Sequence, residues 1–424
     1  MAPVILITFA GRQTRFEILN RYIRRALELG IIDEWHVWDF TRSAKDHAWV
    51  TNEFGPARFM GPKVTYQDSG EVSSTSPFRV CAKFSHDLHI AIAPNDRPDQ
   101  AYEIDISGWE NTHTTVRKTR KDDLATFDRD ATETMWTGSS PAVLLRSKAN
   151  EVILSVDTDG TPSLKVNDVL VGQWPAMNLS AGGRVKIRGG LGGDLELCHV
   201  NDKVRRYIGN PNEQVPYYQA YDYYTKRASQ FSDAIFMKCD DDIVYLDLDK
   251  LSGYIDFRRD NPRYFLVSAN VLNNGVCAHL QQAAGALPDT LGHFEHPPGG
   301  FGGSLWMSPR RASDLHGYFL GKKTKDLSLG RPVIEWQERQ SINFVAWLGR
   351  DLVHMVIAEG GDDEHALTVV VPSILDRPTA IYSDFVVSHL SFYPQEKGAG
   401  LDIDRLIGEY EALMESKLGR SEGK

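Results

Sequence analysis

The sequence contains no stretch that could cross a membrane as a helix. No window approaches the roughly 20 consecutive apolar residues that a spanning helix requires. Residues 1–8 carry no basic leader, and their apolar run predicts a first strand instead of a targeting segment. We therefore expect a cytoplasmic protein without a transmembrane segment.

Cysteine is scarce and basic charge is in deficit. The four cysteines among 424 residues are scattered without paired spacing, so the pattern implies neither disulfides nor a zinc site. A formal net charge of −10 argues against a nucleic-acid partner, because such partners are held by basic side chains on phosphates. A hydrophobic content of 42% and a charged content of 25% are typical of a globular protein.

Two sequence textures divide the chain. Residues 4–9 form an apolar run, residues 16–27 repeat apolar side chains at helical spacing, and residues 35–38 form a second apolar run. This order predicts a strand, a helix and a second strand, which is an α/β opening. Between residues 77 and 200, short alternating runs separated by turn signals take over, and they predict an antiparallel β-sandwich.

The predicted domain organisation follows from these textures. One discontinuous α/β domain is expected over residues 1–70 and 205–400, and the β-sandwich over residues 77–200 is expected as a module inserted into it. Residues 401–424 are expected to form an amphipathic C-terminal helix and tail that dock on the body. Binding to a partner helix or to a membrane surface is the alternative for this tail.

An aspartate triplet follows a predicted buried strand. Asp240, Asp241 and Asp242 come directly after the apolar run 234–237. Adjacent carboxylates repel one another, and a hard divalent cation such as Mg²⁺ or Mn²⁺ relieves that repulsion. The carboxyl end of a strand is also where open α/β sheets bind ligands. The triplet therefore predicts a metal site, with an acidic turn or a helix cap as the alternative.

Two later segments carry further candidate site residues. Residues 297–306 hold four glycines in five positions, which lets the backbone approach a ligand closely; a flexible surface loop is the alternative. Trp306 suits stacking on a sugar face. Glu335 and Glu338 begin a predicted helix, where the helix dipole alone favours acidic side chains. Beside a sugar hydroxyl, either carboxylate would instead act as a general base.

A single histidine, His389, lies in an apolar run near the C-terminus. A histidine near a strand is typically a structural residue with satisfied hydrogen bonds. It becomes a candidate metal ligand only if the fold places it beside the aspartate triplet.

The order of these features resembles a metal-dependent glycosyltransferase of the GT-A type. The matching features are the α/β opening, an Asp-x-Asp motif after a strand, a glycine-rich loop, late acidic residues and a C-terminal histidine. The sequences at residues 7–12 and 238–242 resemble those of bacterial polysaccharide-assembly transferases. The fold class implied by the resemblance is α/β: a GT-A-like mixed sheet flanked by helices, with an inserted antiparallel β-sandwich domain.

The resemblance also implies roles for individual residues. The ligands of a Mn²⁺ or Mg²⁺ cofactor would be Asp240, Asp242 and His389. The nucleotide would lie against Thr8, Ala10, Arg12, Asp39 and Asp241. The donor sugar and the acceptor would lie beside Gly302, Gly303 and Trp306. The catalytic base would be Glu338, with Glu335 as the second choice.

The function implied is transfer of a sugar from a nucleotide-sugar donor, expected to be UDP-linked, to a glycan or lipid-linked glycan acceptor in cell-surface polysaccharide synthesis. The metal would neutralise the leaving diphosphate, and a glutamate base would favour inversion. A peripheral position at the inner membrane and an oligomer are compatible with this role. Two alternatives stay open: a non-catalytic carbohydrate-binding protein, and another metal-dependent nucleotide enzyme.

The inserted module is similar to galectin-like sandwich domains, on the evidence of residues 91–94, 102–106 and 108–112. In a functional interpretation, Trp109 or Trp174 would form a stacking platform for the acceptor glycan. A tryptophan at the end of an alternating strand is more typical of a core position, and we expect Trp109 to be buried.

Overall fold

The structure is a computed structural model of the 424-residue chain. It describes residues 2–84, 87–97, 99–120, 132–146, 148–175, 177, 179, 181–190, 193–198 and 203–419. The chain divides into two compact units, of which the first is formed by Met1–Val50 with Pro211–Lys424 and the second by Thr51–Asn210. The domain boundaries expected from the sequence, at residues 70–77, 200–205 and 401, stay predictions.

The strands of the described residues are β1 (Val4–Ala10), β2 (Glu34–Asp39), β3 (Ala57–Met60), β4 (Gln67–Val72), β5 (Phe78–Phe84), β6 (Leu88–Pro94), β7 (Gln100–Ser107), β8 (His113–Arg120), β9 (Glu133–Ser139), β10 (Asn150–Val156), β11 (Pro162–Val166), β12 (Val169–Gln173), β13 (Gly183–Gly189), β14 (Leu195–Leu197), β15 (Val204–Ile208), β16 (Ile235–Asp240), β17 (Ile243–Leu246), β18 (Val267–Leu272), β19 (Val333–Trp336), β20 (Phe344–Leu348) and β21 (Thr379–His389).

The helices of the described residues are α1 (Gln13–Glu28), α2 (Ala44–Phe54), the left-handed turn α3 (Gly108–Asn111), α4 (Tyr218–Thr225), α5 (Leu248–Asp260), α6 (Gly275–Ala283), α7 (Gly303–Met307), α8 (Pro309–Gly321), α9 (Asp363–His365), α10 (Val371–Leu375), α11 (Tyr393–Glu396) and α12 (Ile403–Leu418). A π-helical turn, Ala366–Val370, joins α9 to α10. No described helix combines the length and the apolar character needed to cross a membrane.

The first unit is built on a mixed sheet in the order β2-β1-β16-β20-β18-β21-β17, and β19 pairs with the first half of β21. Every residue of β1 is buried, as expected for a strand covered on both faces. Strand β1 pairs in parallel with β2 and β16, whereas β16 and β20 are antiparallel. Strand β17 pairs antiparallel with β21, so Ile243 lies opposite His389. This register brings the turn between β16 and β17 to the end of β21.

The C-terminal helix α12 anchors the edge of this sheet. It packs against α1, α8 and β17, and its buried residues are Leu406, Tyr410 and Met414. The Tyr410 hydroxyl hydrogen bonds to His316 Nδ1 at 2.7 Å and to Ser388 Oγ at 2.9 Å. Because Ser388 precedes His389 on β21, α12 helps to fix the end of that strand. Residues 420–424 of the predicted tail lie outside the described residues.

The second unit is a sandwich of two sheets. One sheet has the order β4-β13-β6-β7-β8-β9, and the other has the order β12-β11-β10-β5-β14-β3-β15. Alternate residues of the strands face a shared apolar core, among them Ile90, Ile104, Leu154 and Val185. The alternating apolar residues from which the sandwich was predicted are thus the residues that fill its core.

The two tryptophans considered as stacking platforms differ in exposure. Trp174 is 2% exposed and belongs to the core, whereas Trp109 is 55% exposed. The expectation of a buried Trp109 is therefore wrong. The reason is the left-handed turn α3, which carries positive φ angles at Trp109, Glu110 and Asn111 and displays the ring outside the sheet.

The expected fold class, an α/β GT-A-like fold, is wrong. The described residues form 21 strands in sheets whose pairs are mostly antiparallel, and much of the chain is a β-sandwich. In the first unit, parallel pairing is limited to β2-β1-β16 and to β18 with β21. The α/β order of residues 4–39 does not extend over the whole chain, because many later segments form antiparallel strands and a β-sandwich.

Two glycines test the packing of the first unit. A Cβ on Gly349 would lie 1.8 Å from the carbonyl oxygen of Phe231, whereas a Cβ on Gly253, inside α5, would meet nothing closer than 3.7 Å. We predict that Gly349→Ala lowers the free energy of unfolding by about 3 kcal/mol through overpacking. Gly253→Ala should raise it by about 0.5–1 kcal/mol because alanine is the better helix former. Urea unfolding of both variants measures these changes. Equal free energies of unfolding for the two variants would contradict the close contact between Gly349 and Phe231.

Candidate metal centre and its pocket

Three potential metal-ligating side chains converge where strands of the first unit end. Asp240 is the last residue of β16, Asp242 lies in the turn before β17, and His389 is the last residue of β21. The pairing of β17 with β21 makes the turn and the histidine neighbours in space. One ligand atom from each of the three side chains lies within 4.8 Å of the other two.

Asp242 lies at the centre of this group. Its Oδ1 is 3.2 Å from His389 Nε2, and its Oδ2 accepts a hydrogen bond from Arg12 Nη2 at 2.9 Å. Arg15 Nη1 is 3.6 Å from the same oxygen. Burial alone would raise the pKa of Asp242, but His389 and the two arginines outweigh it and hold the pKa below its usual range. The side chain is therefore an ionised carboxylate.

Asp240 is held by a buried lysine and an asparagine. Lys238 Nζ donates to Asp240 Oδ1 at 2.5 Å and to the carbonyl oxygen of Ile342 at 3.0 Å. Asn343 Nδ2 donates to Asp240 Oδ2 at 3.0 Å. These contacts fix the orientation of the carboxylate towards the pocket while leaving lone pairs on both oxygens.

Asp241 has a different task from its two neighbours. Its Oδ2 accepts hydrogen bonds from the backbone N–H groups of Gly11 and Arg12 at 2.7 and 2.8 Å. A Cβ on Gly11 would lie only 3.2 Å from this oxygen, so glycine suits the position. Burial raises the pKa of Asp241 to about 6. The residue fixes the loop after β1 and lines the pocket.

The three carboxylates open into a pocket of about 320 Å³ in the first unit. The side chains that line it are Phe9, Arg12, Tyr217, Lys238, Asp240, Asp241, Asp242, Ile342, Asn343, Asp363, Glu364, His389, Ser391, Phe392 and Tyr393. Five carboxylates thus face two basic side chains and one histidine. This excess of negative charge favours a cation in the pocket.

Two buried polar atoms of this pocket have no hydrogen-bond partner among the described residues. They are His389 Nδ1 and Asn343 Oδ1, and each residue is 4% exposed. Unpaired buried polar atoms are costly and call for a ligand, water or ion. A donor set of two carboxylates and an imidazole, beside an amide oxygen that can accept from a coordinated water, suits a divalent cation. The residues present therefore form a possible binding site for a divalent cation.

The remaining residues predicted to bind a nucleotide are spread over the first unit. Arg12 lines the pocket, but Thr8, Ala10 and Asp39 do not. Thr8 Oγ1 accepts a hydrogen bond from Trp35 Nε1 at 3.0 Å inside the sheet. Asp39 accepts a hydrogen bond from the Thr41 hydroxyl at 2.6 Å.

The residues predicted to act on the sugar also lie outside the pocket lining. Gly302, Gly303 and Trp306 lead into and form α7, which does not contribute to it. Glu335 lies on β19, not on the helix expected there. The Glu338 side chain is 50% exposed and lies 3.5 Å from His296. The structure thus brings together the metal-ligand candidates with Asp241 and Arg12, and leaves the predicted sugar-binding and catalytic residues elsewhere.

Sequence reasoning missed a second acidic element of the pocket. Asp363 and Glu364 line it beside the aspartate triplet, and burial raises the pKa of both carboxyls. Arg339 Nε donates to Glu364 Oε1 at 2.7 Å. The signal was the Gly-Gly-Asp-Asp-Glu run of residues 360–364. The π-helical turn that follows at Ala366–Val370 is a feature often found at functional sites.

A second group of potential metal ligands lies in the sandwich: Asp87, His89 and Asp105. Arginine side chains already occupy the positions around it. Arg188 Nη2 is 3.1 Å from His89 Nδ1, and Arg117 Nη1 is 3.6 Å from Asp105 Oδ2. Arg117, Arg188 and His89 balance the charges of the nearby carboxylates Asp87, Glu103 and Asp105, whereas carboxylates outnumber basic side chains in the pocket of the first unit. Without an excess of negative charge this group is better described as a buried ion-pair network.

This network predicts a pH dependence. Burial opposes the charge on His89, but hydrogen bonds to Asp87 and Glu103 outweigh it and raise the pKa above 6.5. That contribution to stability is complete below pH 6.5 and is lost as the pH rises through the folded pKa. Burial also opposes the charge on Glu103, but His89 holds its pKa at about 2. This second contribution is complete above pH 4.5 and is lost as the pH falls.

The contributions of His89 and Glu103 to the stability of the sandwich are both complete between pH 4.5 and 6.5. Hydrogen exchange of the β6 and β7 amides in the full chain measures this directly. In His89→Gln the loss of protection above pH 6.5 should disappear, whereas His113→Gln, an exposed histidine of the same unit, should behave like the wild type. An unchanged profile in His89→Gln would contradict the role assigned to the network.

The family comparison concerns the second unit. A family model described as farnesoic acid 0-methyl transferase matches residues 63–179, little more than a quarter of the chain. No curated protein matches the sequence.

Several solved structures match with low similarity. The carbohydrate binding module CBM66 from Bacillus subtilis is 11% identical, with a TM-score of 0.22, over 34% of this chain and 93% of that chain. The carbohydrate recognition domain of Emp47p is 13% identical, with a TM-score of 0.18, over 31% and 73% of the two chains. The kappa-carrageenase from Zobellia galactanivorans is 11% identical, with a TM-score of 0.19, over 32% and 54%.

These comparisons correct the assignment made from the sequence. Neither the matched family nor the three solved structures named above are GT-A glycosyltransferases. The family resemblance, the glycosyltransferase function and the classification as a glycosyltransferase enzyme are therefore wrong, and the nucleotide-sugar donor has no support. The error arose because the order of several short motifs was given the weight of a family signature.

Proposed function

We propose that this protein is a non-catalytic carbohydrate-binding protein that holds its glycan through a divalent cation in the pocket of the first unit. One observation carries the proposal. Asp240, Asp242 and His389 converge to within 4.8 Å in a pocket with excess carboxylates and two unpaired buried polar atoms.

The cation is proposed to be Mn²⁺ or Mg²⁺, held by Asp240, Asp242 and His389. Carboxylate oxygens are the ligands that both ions prefer, and imidazole is compatible with Mn²⁺. Asn343 Oδ1, which lacks a partner among the described residues, would accept from a water or hydroxyl group bound to the ion. Asp241 would act indirectly, because its hydrogen bonds hold the Gly11–Arg12 backbone against the site.

A glycan suits the remainder of the pocket. Hydroxyl groups of a sugar can replace water on a divalent cation, and carboxylates such as Asp363 can accept hydrogen bonds from others. Aromatic rings offer flat apolar surfaces to sugar rings. Tyr393, at the start of α11, is 71% exposed, and Tyr217 stacks on Phe9 with ring centroids 5.2 Å apart. The volume of about 320 Å³ is at the lower end of the range for small-ligand sites.

A second candidate location for a glycan lies on the sandwich. Trp109 is 55% exposed, and Arg117 lies 5.7 Å from the centre of its ring. Non-glycine residues with positive φ, as in α3, are costly and cluster at functional sites. A glycan bound beside Trp109 would not need a metal. Binding that persists in EDTA therefore distinguishes this location from the pocket of the first unit.

The metal is tested first, without any glycan. We predict that the full chain binds one Mn²⁺ in the pocket and that Asp242→Asn weakens this binding at least about 100-fold, because it removes a ligand charge. Isothermal titration with MnCl₂ measures the affinity. Asp314→Asn, which removes an exposed carboxylate 3.9 Å from Arg310, is the matched control and should bind like the wild type. Equal affinities of the Asp242 variant and the control would contradict the site.

The glycan is tested on an array with the full chain in Mn²⁺ and in EDTA. Glycan retention that requires Mn²⁺ supports binding in the pocket of the first unit. We predict that Tyr393→Ala weakens glycan binding about 10-fold while the Mn²⁺ affinity stays unchanged. Ile374→Ala removes a side chain that is 76% exposed outside the pocket lining and is the control.

Three outcomes of the array experiment would overturn the pocket proposal. Retention that persists in EDTA and is lost in Trp109→Ala would place the glycan on the sandwich. Mn²⁺-dependent thermal protection by a nucleoside diphosphate, in the absence of any glycan retention, would assign the pocket to a nucleotide. If the chain binds Mn²⁺ but retains no glycan in either buffer, the proposed carbohydrate ligand is wrong.

A further inference from the structure

Two cysteines that are distant in sequence lie opposite each other on neighbouring strands of the sandwich. Strand β5 pairs antiparallel with β14, and Ala82 lies opposite Leu197. Continued by one residue, this register places Cys81 opposite Cys198. The backbone N–H of Cys198 donates to the carbonyl oxygen of Cys81 at 2.7 Å, so the pairing extends to the two cysteines.

The geometry of such a pair suits a disulfide. Residues directly opposite each other on antiparallel strands point their side chains to the same face. At a hydrogen-bonded position their Cα atoms are about 5.5 Å apart, which falls in the range that disulfides adopt.

The pair is accessible, unlike the other two cysteines. Cys81 and Cys198 are half-buried, whereas Cys239 and Cys277 are buried. Cys81 lies opposite Glu151 on β10, and the side chain of Glu151 is 52% exposed. The two thiols therefore lie on the outer face of their sheet, where a small solute can approach them.

We propose that Cys81 and Cys198 are a modification site, which takes up oxidising equivalents from a low-molecular-weight disulfide such as oxidised glutathione. In the first step the Cys198 thiolate attacks the external disulfide, and one glutathione thiolate leaves. In the second step the Cys81 thiolate attacks the mixed disulfide on Cys198, and the second glutathione leaves. One disulfide has been reduced to two thiols, and the two protein thiols have been oxidised to one disulfide.

The order of the two steps follows from the surroundings of the thiols. Burial and the neighbouring Cys198 thiol raise the pKa of Cys81 to about 12. A thiol with so little thiolate at neutral pH is a weak attacking group, so the first attack is assigned to Cys198. In the second step the proximity of the two residues compensates for the small thiolate fraction of Cys81.

The bond would join β5 to β14 and close a loop that contains strands β6 to β13. A cross-link over so long a loop restricts the unfolded chain and stabilises the folded sandwich. The effect is independent of the metal pocket, so it should be the same in EDTA. Oxidation thus offers a means of setting the stability of the sandwich according to the redox potential around it.

The full chain, incubated in EDTA with glutathione buffers of increasing oxidised fraction, tests the proposal. After an acid quench and alkylation with N-ethylmaleimide, trypsin should release residues 80–83 joined to residues 189–203. The oxidised protein should melt about 5 °C or more above the reduced one, and dithiothreitol should reverse the shift. Protein alkylated with N-ethylmaleimide before oxidation should show neither the cross-linked peptides nor the shift.

Single variants separate the cross-link from simple thiol oxidation. Cys81→Ser should stop at a mixed disulfide, with one glutathione on Cys198 and without the higher melting temperature. A stable glutathione adduct on Cys198 in the wild type, a disulfide-linked dimer, or full retention of both thiols in oxidised glutathione would each overturn the proposal.

Discussion

The first unit depends on keeping the charges of three consecutive carboxylates apart. Residues 240–242 close β16, and each side chain turns to a different partner: Lys238 for the first, the backbone of Gly11 for the second, and His389 for the third. These partners come from three segments of the chain, so the triplet ties the loop after β1 and the end of β21 to the end of β16. The arrangement compensates each charge separately and still leaves an excess of negative charge in the pocket. That excess is the physical reason for expecting a cation there.

The side chains around the pocket show what it can bind, but they do not show to which family the chain belongs. Carboxylate, imidazole and aromatic side chains around a cavity define what can bind, whatever fold carries them. The same elements, taken as an ordered set of short motifs, led to a glycosyltransferase family that neither the family match nor the solved structures named above support. In the sandwich, by contrast, two arginines and His89 balance the charges of a similar set of acidic side chains, which therefore forms a structural network.

How much could be predicted from the sequence varied with the range of the interactions involved. Local periodicity was sufficient for β1, α1 and β2, and for the alternating strands of the sandwich, because each depends on which face of a short segment is buried. The role of His389 depends on the pairing of β17 with β21, which no local pattern encodes. The same holds for the neighbouring Cys81 and Cys198, whose spacing in sequence gave no hint of a pair. Asp363 was missed because it lies in a short turn without strand or helix periodicity, and the exposure of Trp109 depends on a left-handed turn that its residue types do not announce.

The central claim is that a divalent cation binds between the end of β16 and the end of β21. The most direct measurement is an anomalous difference map from crystals of the full chain soaked in MnCl₂. A peak about 2.2 Å from a carboxylate oxygen of Asp242 and from a ring nitrogen of His389, with Asp240 in its coordination sphere, is the predicted result. Anomalous density that occurs only at other sites, or a pocket without a peak at a Mn²⁺ concentration of about 100 times the dissociation constant found by titration, would contradict it.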